Sequence, residues 1–190
     1  GGVAVTLTGG MSWSTQHTQK NSQFYRVATD NEFPYNVYSN SQDLVAYKVP
    51  SASRWGGISG YETTIISNGE NGAVIPDPDD NNIVFSNSSG SVVGGGAPFT
   101  RNNIKTGQNE IRSIWPEPIF GLNASDMPYR FQWNTPFFIS KYDHDTIFSA
   151  GNVVFKTTDE GLNWEAISDD LTRDLKDKQS LSKSSRRSQA

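Results

Sequence analysis

The stretch KTTDEGLNWEAI, residues 156–167, carries an acid, a glycine and a tryptophan at fixed short spacing. Asp159 is followed by Gly161 and Trp164, and Thr157 stands two residues before the acid. An aspartate can accept backbone N–H groups across a tight turn, and glycine adopts the positive φ that such turns require. A returning tryptophan packs its large ring between sheets. These residues predict a structural β-hairpin, and a catalytic role for Asp159 is the weaker alternative.

The remaining sequence predicts an all-β fold. Short runs rich in Val, Ile, Phe, Tyr and Thr are separated by clusters of Gly, Asn, Asp, Pro and Ser. No segment keeps an apolar period of 3.6 residues over three turns, which argues against amphipathic helices. The 190 residues are enough for one or two domains with a sizeable core.

Three segments share one plan: a short apolar strand, a polar turn with acids, and a strand that ends aliphatic–aromatic–Ser. They are VATDNEFPYNVYS, VIPDPDDNNIVFS and FISKYDHDTIFS, which end at Ser39, Ser86 and Ser149. The final serines are 47 and 63 residues apart, and a four-stranded propeller blade takes roughly 40–50 residues. We therefore expect β-propeller blades over residues 1–172, about three of them, with the first incomplete and an insertion near residues 101–130.

Charge is distributed unevenly along the chain. The net charge is −4, but residues 173–190 carry six Lys or Arg and two Asp, which leaves −8 for the rest. An acidic body argues against nucleic acid as a partner. The segment 173–190 has little apolar content, so it is predicted to be a disordered basic tail or linker.

Composition also excludes several kinds of site. The chain has no cysteine and two histidines, so thiolate and histidine-rich metal centres are excluded. We expect no cofactor, and the glycine-rich VVGGGAP lacks the Lys-Ser/Thr and the following helix of a phosphate-binding loop. We also expect no metal, since the oxygens of DPDD and the following NN are an alternative Ca²⁺ site without an ordered ligand spacing. No apolar run approaches the roughly 20 residues that a membrane-spanning helix needs, so we expect no membrane span.

Several motifs together resemble a family of large bacterial propellers, the sortilin/VPS10-like or BNR-repeat glycosyl-hydrolase-like proteins. Residues 157–164 match the Asp-box pattern Ser/Thr-x-Asp-x-Gly-x-x-Trp of the BNR repeat. The resemblance covers most of residues 1–175 and also rests on FYRVATDNEFPYNVYSNSQD, ENGAVIPDPDDNNIVF, KTGQNEIRSIWPEP and YRFQWNTPFFIS. A degraded Asp box, TLTGGMSW, keeps Thr6, Gly10 and Trp13 but has a threonine in place of the acid.

The resemblance implies an exported protein, secreted, periplasmic or on the cell surface, that is much longer than this chain. The chain is then interpreted as a fragment whose partners include the remaining propeller blades. In the family that it resembles, Asp-box turns lie on outer hairpins away from the active site, so Asp159 is expected to be structural. A Gly-rich GGQQDN-like stretch is expected where this chain has SNSQDL, which contains Gln42.

Two acids outside the acid-rich turns are weak candidates for catalysis. Asp43 and Glu70 each adjoin a predicted strand, in SQD and NGENG. Most glycosidases use two carboxyl groups that face each other across the sugar. A surface or structural role is the main alternative for both residues.

Arginine and aromatic side chains are candidates for ligand binding. Arg54 and Trp55 are adjacent in SRWGG, and Arg130 and Trp133 lie together in YRFQW. Sugars stack on aromatic faces, and arginine binds carboxylates through two parallel hydrogen bonds. With Gln42 they form the predicted binding set. The alternative is packing between blades, with each arginine paired to an aspartate in a turn.

Two function classes follow from these residues. The first is an exported propeller that binds a glycan or a peptide on its blade face. The second is part of a glycoside hydrolase that uses a carboxylate pair in the propeller cleft. A carboxylate pair facing one cleft would favour the enzyme.

Overall fold

The computed structural model describes residues 3–15, 22–68, 70–88, 98–117, 119 and 122–180. The strands of this part of the chain form three four-stranded antiparallel sheets. In each sheet, strands that follow one another in sequence are neighbours, which is the arrangement of a propeller blade. The all-β prediction is therefore confirmed.

Sheet 1 contains β1 (Ala28–Thr29), β2 (Asn36–Asn40), β3 (Val45–Pro50) and β4 (Thr64–Asn68). Sheet 2 contains β5 (Val74–Pro76), β6 (Ile83–Asn87), β7 (Phe99–Asn103) and β8 (Gln108–Ile111). Sheet 3 contains β9 (Phe137–Ile139), β10 (Ile147–Ala150), β11 (Val154–Thr157) and β12 (Glu165–Ala166). Short 3-10 turns occur at Gly60–Glu62, Ala124–Asp126 and Lys176–Lys178.

Each of the three sequence repeats forms the first two strands of one sheet. The final serines, Ser39, Ser86 and Ser149, lie in β2, β6 and β10. The acidic segments between the two strands of each repeat become the β1–β2, β5–β6 and β9–β10 turns. The repeat read from the sequence is therefore a strand–turn–strand unit to which each sheet adds two further strands.

The boundaries of the repeats differ from the expectation in three places. Sheet 1 has four strands, so the first sheet is complete and the incomplete unit is the hairpin-like segment 3–14 before it. The long connection is 112–136, which overlaps the insertion expected near residues 101–130, while residues 101–111 belong to β7, β8 and the turn between them. Residues 173–180 of the expected disordered tail hold a 3-10 turn, and residues 181–190 lie outside the described residues.

The core lies between sheets, and it is built by alternation along the strands. Successive side chains of a strand point to opposite faces. Tyr38 of β2 packs with Val84 of β6 between sheets 1 and 2. Phe85, the next residue of β6, packs with Ile147 of β10 between sheets 2 and 3. Val84 and Ile147, the aliphatic members of the second and third pairs, thus face the preceding sheet, whereas Tyr38 and Phe85, the aromatic members of the first and second, face the following one.

Buried asparagines also join neighbouring sheets. The Asn40 side chain donates to the backbone oxygens of Asn71 and Asn87, at 2.7 and 2.9 Å. The Asn87 side chain donates to the Thr135 oxygen at 2.5 Å. Asn40 and Asn87 each follow the final serine of a repeat, whereas the third repeat has Ala150 there. This position therefore carries a bond from one sheet to the next in two of the three repeats.

Among the residues that the structure describes, no helix is long and apolar enough to cross a membrane.

Candidate functional site

Residues from the β2–β3 turn of sheet 1, and from the connections before and after that sheet and before sheet 3, meet in one polar cluster. We call it the amide–acid cluster, and it consists of Tyr25, Gln42, Asp43, Glu70 and Trp133. Gln42 and Asp43 lie in the β2–β3 turn, Glu70 lies between sheets 1 and 2, and Trp133 precedes β9. Asp43 adopts a left-handed backbone with φ 58°, a conformation that aspartate tolerates better than most residues.

A chain of hydrogen bonds runs through the amide–acid cluster. The Trp133 indole N–H donates to the Tyr25 hydroxyl at 3.4 Å. That hydroxyl donates in turn to the Gln42 side-chain oxygen. The Gln42 amide nitrogen donates to Asp43 Oδ1 at 2.7 Å and to Glu70 Oε1 at 3.3 Å. Every donor in this series of hydrogen bonds is thus directed towards the two carboxyl groups.

The two carboxyl groups also act on each other. The hydrogen bond from Gln42, followed by a bond to Glu70, lowers the pKa of Asp43. Burial raises the pKa of Glu70, and a hydrogen bond to Asp43 and its negative charge raise it further. Both carboxyls accept a hydrogen bond from the same Gln42 nitrogen, and Asp43 is the more acidic of the two.

The amide–acid cluster can accept hydrogen bonds from a ligand. Asp43 is exposed and the other four residues are half-buried, so the carboxylate oxygens can be reached from solvent. None of the ion pairs found among the described residues includes Asp43 or Glu70. Ionised carboxylates only accept hydrogen bonds, so a complementary ligand supplies N–H or O–H groups.

The other predicted binding residues lie elsewhere. Arg54 and Trp55 are in the β3–β4 connection, at the opposite end of sheet 1 from the β2–β3 turn, and both are exposed. Arg130 pairs with Asp170 at 2.6 Å and Asp174 at 3.1 Å, with only 16% of its side chain exposed. The structure thus joins Gln42, Trp133 and the two candidate acids. Arg54 and Trp55 lie apart from them, and the Arg130 guanidinium is held by two aspartates.

The Asp box forms the turn between β11 and β12. Thr157 Oγ1 donates to Asp159 Oδ1 at 2.7 Å and accepts the Gly161 N–H at 3.0 Å. Asp159 Oδ1 also accepts the Asn163 N–H at 2.9 Å. Hydrogen bonds from the side chain and backbone of Asn163, and from Thr157, lower the pKa of Asp159 to about 2. In this turn the carboxylate is occupied by its own loop.

Trp164 attaches this turn to sheet 2. Its ring packs against the core between sheets 2 and 3, and its indole N–H donates to the Arg112 backbone oxygen at 3.1 Å. Gly161 has φ +89°, and a Cβ there would lie 2.9 Å from the Phe99 ring. The glycine is therefore required both by the backbone conformation and by close packing.

The degraded Asp box forms a turn with a similar pattern of hydrogen bonds. Thr6 Oγ1 accepts the Gly10 N–H at 3.0 Å, and Thr8 Oγ1 accepts the Ser12 N–H at 2.9 Å. Gly10 has φ +94°, close to the value in the complete box. Thr8 thus replaces the aspartate as the acceptor. Trp13, however, is 63% exposed, so the two turns differ in what covers their tryptophans.

Sequence reasoning missed Tyr25 and the buried asparagines. Tyr25 lies 17 residues before Gln42 in FYRVAT, where it reads as an ordinary strand residue. For the asparagines a signal was present, because Asn40 and Asn87 stand at the same place in two repeats. The same alignment that defined the repeats could have found them.

No family model matches the sequence, and no curated protein matches it. The described residues contain no group of three or more His, Asp or Glu able to hold a metal ion.

Proposed function

We propose that this chain is part of an exported β-propeller of the sortilin/VPS10-like, BNR-repeat type that binds a glycan or peptide ligand. The ligand contacts the amide–acid cluster. The observation that carries the proposal is the convergence of Gln42, Asp43, Glu70 and Trp133, which sequence reasoning selected separately. Sites of this kind combine a few converging polar groups with aromatic side chains at the junction of structural units.

The chemistry of the cluster indicates what such a ligand offers. The hydrogen-bond chain ends on two carboxyl groups with accessible oxygens, so sugar hydroxyls or peptide N–H groups are suitable donors. The rings of Tyr25 and Trp133 supply flat apolar surface beside these acceptors. Phosphate and carboxylate ligands are disfavoured, because both acids would repel them.

Glycoside hydrolysis is the second candidate, and one observation favours it. The raised pKa of Glu70 beside the lowered pKa of Asp43 is the division expected for a general acid and its ionised partner. The spacing argues the other way. The carboxyls of glycosidases stand about 5–5.5 Å or about 6.5–9.5 Å apart with the sugar between them, whereas here the one Gln42 amide nitrogen donates to both carboxyls. Binding is therefore the better supported function.

A binding screen with the whole chain tests the proposal. Glycan and peptide libraries are screened, each hit is assayed for turnover, and the affinity is measured again for Gln42→Ala. Loss of a hydrogen bond involving charged groups costs about 1.5–3 kcal/mol, so we expect affinity to fall roughly tenfold or more. Trp55→Ala is the matched control, since Trp55 is exposed at the other end of sheet 1.

Two outcomes would contradict the proposal. If Gln42→Ala and Trp55→Ala bind the ligand as tightly as the unaltered chain does, the ligand does not contact the amide–acid cluster. Turnover of a glycan that disappears in Glu70→Gln would replace binding by hydrolysis.

Further sheets are part of the proposed propeller. Blades of a closed propeller cover each other's faces, and closure normally takes four to eight of them. We propose that the three sheets described here pack with additional sheets of the same kind. An export location is likewise proposed, and fractionation of cells that make the protein would test it.

A further inference from the structure

One cavity lies where the first turns of all three sheets meet, and we call it the turn cavity. Its volume is about 310 Å³, at the lower end of the range for small-molecule sites, about 300–1,000 Å³. It is lined by residues 29–31 of sheet 1, 75–78 of sheet 2 and 138–141 of sheet 3, together with Asn81 and His144. The β1–β2 turn is at the opposite end of sheet 1 from the β2–β3 turn, so the turn cavity is separate from the amide–acid cluster.

Part of the lining is apolar. Ile75 and Ile139 are half-buried and pack against the core between sheets 2 and 3. Pro76 beside them is buried, whereas Asn31 and Lys141 are exposed, so the cavity opens to solvent. A ligand that fills it therefore has an apolar part against the isoleucines and a polar end among the turn residues.

A buried negative charge lies in the wall of the turn cavity. Asp30 is only 7% exposed, and its carboxylate accepts hydrogen bonds from the Asn36 backbone and side chain and from the Tyr38 hydroxyl, at 2.7–2.9 Å. Burial raises the pKa of Asp30, but these bonds hold it below the ordinary value, so the carboxyl is ionised at neutral pH. None of the ion pairs found among the described residues includes Asp30 or Asp77.

The basic residues of the lining are engaged elsewhere. His144 Nδ1 lies 2.8 Å from Asp79 Oδ2, which joins the β9–β10 turn to the β5–β6 turn. Lys141 directs its ammonium nitrogen over the Tyr142 ring, 4.8 Å from the ring centroid. The three turns carry seven Asp or Glu against these two bases. The turn cavity therefore attracts a positively charged group and repels carboxylates and phosphates.

Two oxygen atoms of the β5–β6 turn are not used by the fold. Asp77 Oδ1 accepts the N–H groups of Asp79 and Asp80, at 2.8 and 3.3 Å, whereas Oδ2 accepts no hydrogen bond from the described residues. Asn81 Oδ1 is buried without a donor among them, and a half-turn of its amide exchanges the oxygen and nitrogen positions. These acceptors suit a ligand that carries several N–H groups on a positive centre.

We propose that the turn cavity binds an alkyl chain that ends in a guanidinium or ammonium group. The alkyl part packs on Ile75 and Ile139. The positive end lies beside Asp30 and Asp77. Arginine and lysine side chains of a peptide carry such groups, and so do small free cations. This second site does not depend on the function proposed for the amide–acid cluster.

Butylguanidinium is the probe, and butylurea is its matched control, with the same alkyl chain and a planar head of similar shape but no charge. Titration of the whole chain followed by NMR is expected to show saturable binding of butylguanidinium and none of butylurea. The peptide acetyl-Gly-Arg-Gly-amide distinguishes the two sources of the group. Tighter binding of the peptide than of butylguanidinium assigns the cavity to a peptide side chain, and equal or weaker binding assigns it to a small free cation.

Substitutions in two of the turns locate the bound group. Asp77→Asn removes a charge but keeps an oxygen that can accept the two backbone N–H groups of its turn, so we expect the fold to be retained and affinity for butylguanidinium to fall about tenfold or more. Asn31→Arg adds a positive charge at an exposed position of the lining and should also weaken binding. Asp145→Asn is the matched control, because Asp145 is exposed in the β9–β10 turn and does not line the cavity. Circular dichroism checks that all three variants are folded.

Three results would overturn the inference. The first is equal binding of butylurea and butylguanidinium, because charge then plays no part. The second is an equal loss of affinity in Asp77→Asn and Asp145→Asn, because the probe then responds only to the overall charge of the chain. The third is unchanged affinity in Asp77→Asn and Asn31→Arg with loss in Gln42→Ala, because the cation then binds at the amide–acid cluster. The function proposed for that cluster stands or falls on its own binding screen.

Discussion

The indole of Trp164 stands edge-on to the ring of Phe99, with the two ring centroids 5.2 Å apart. Trp164 belongs to the turn that precedes β12 and Phe99 to β7, so the contact joins sheet 3 to sheet 2. The same turn reaches sheet 2 through Glu160, whose carboxylate pairs with Arg101 at 2.6 Å. The Asp box therefore closes its own hairpin and also fixes the hairpin to the neighbouring sheet.

Removal of this ring tests its contribution to stability. We expect Trp164→Ala to lower the free energy of unfolding by about 2 kcal/mol or more, because it removes a half-buried aromatic contact and a hydrogen bond. Trp55→Ala, at an exposed tryptophan, is expected to stay within about 0.5 kcal/mol of the unaltered chain. Urea unfolding measures both, and equal effects would deny Trp164 a role between sheets.

Gly161 offers a second test of the same turn. Alanine there meets the Phe99 ring and requires the unfavourable φ +89°, so we expect a loss of more than about 1 kcal/mol. Gly57→Ala is the matched control, since its φ is not in the left-handed region and a Cβ would have no heavy atom within 4 Å. Thermal unfolding of the two variants compares them, and a Gly161→Ala protein as stable as Gly57→Ala would contradict the packing described here.

Low pH should remove part of the stabilisation of the fold that the ionised Asp159 carboxylate provides. Its pKa in the folded chain is about 2, below the ordinary value of 3.8. A carboxyl with a lowered folded pKa stabilises the fold above its unfolded pKa, and that contribution is lost as the pH falls from 3.8 towards 2. The melting temperature of the unaltered chain should therefore fall more steeply over this range than that of Asp159→Asn.

The control for this titration is Asp145→Asn, which changes an exposed acid in the β9–β10 turn. It should keep the steep dependence of the unaltered chain. Parallel curves for the unaltered chain and Asp159→Asn would show that the turn does not depend on the ionised carboxylate. Ligand affinity of Asp159→Asn near neutral pH is expected to be unchanged, because Asp159 lies outside the amide–acid cluster.

Asn87 tests the bond between sheets 2 and 3. Its side chain is buried, donates to the Thr135 oxygen and accepts the Ala73 N–H at 2.7 Å. Alanine would leave both backbone groups buried without a partner, so we expect a loss of about 2–4 kcal/mol. Asn82→Ala in the exposed β5–β6 turn should cost less than about 0.5 kcal/mol. Chemical denaturation measures the free energy of unfolding of both variants. Similar losses of stability in the two would argue against the inter-sheet bond.

Local features of the fold could be predicted from the sequence. The Asp-box turn and the strand–turn–strand repeats depend on residues close together in the chain, such as Thr157 and Gly161, and their spacing is visible directly. The bounds of the insertion were less visible. The late third repeat predicts an insertion near residues 101–130, and in the structure residues 101–111 complete sheet 2 and the long connection follows them, at 112–136.

The candidate site was only partly accessible to such reasoning. Gln42 and Asp43 were selected as neighbours, but their contact with Glu70 depends on how sheet 1 meets the connection that follows it. Trp133 and Tyr25 are 108 residues apart and meet only through the packing of three sheets. Arg130 was a candidate for ligand binding, with pairing to a turn aspartate as the alternative, and the sequence could not identify its partner Asp170, which lies 40 residues later. Contacts between residues so far apart in the sequence depend on how the sheets are arranged, and short sequence motifs do not specify that arrangement.

The asparagine bonds have a consequence for how the repeats can diverge. Asn40 and Asn87 donate to main-chain oxygens of the next sheet, not to its side chains. Almost any residue can present such an oxygen. The turns, loop lengths and surface residues of a repeat can therefore change while its main chain still accepts the asparagine bond from the repeat before it. Three repeats of one structural plan can thus have dissimilar sequences, and they can differ most at the ends of the strands, where the proposed ligand binds.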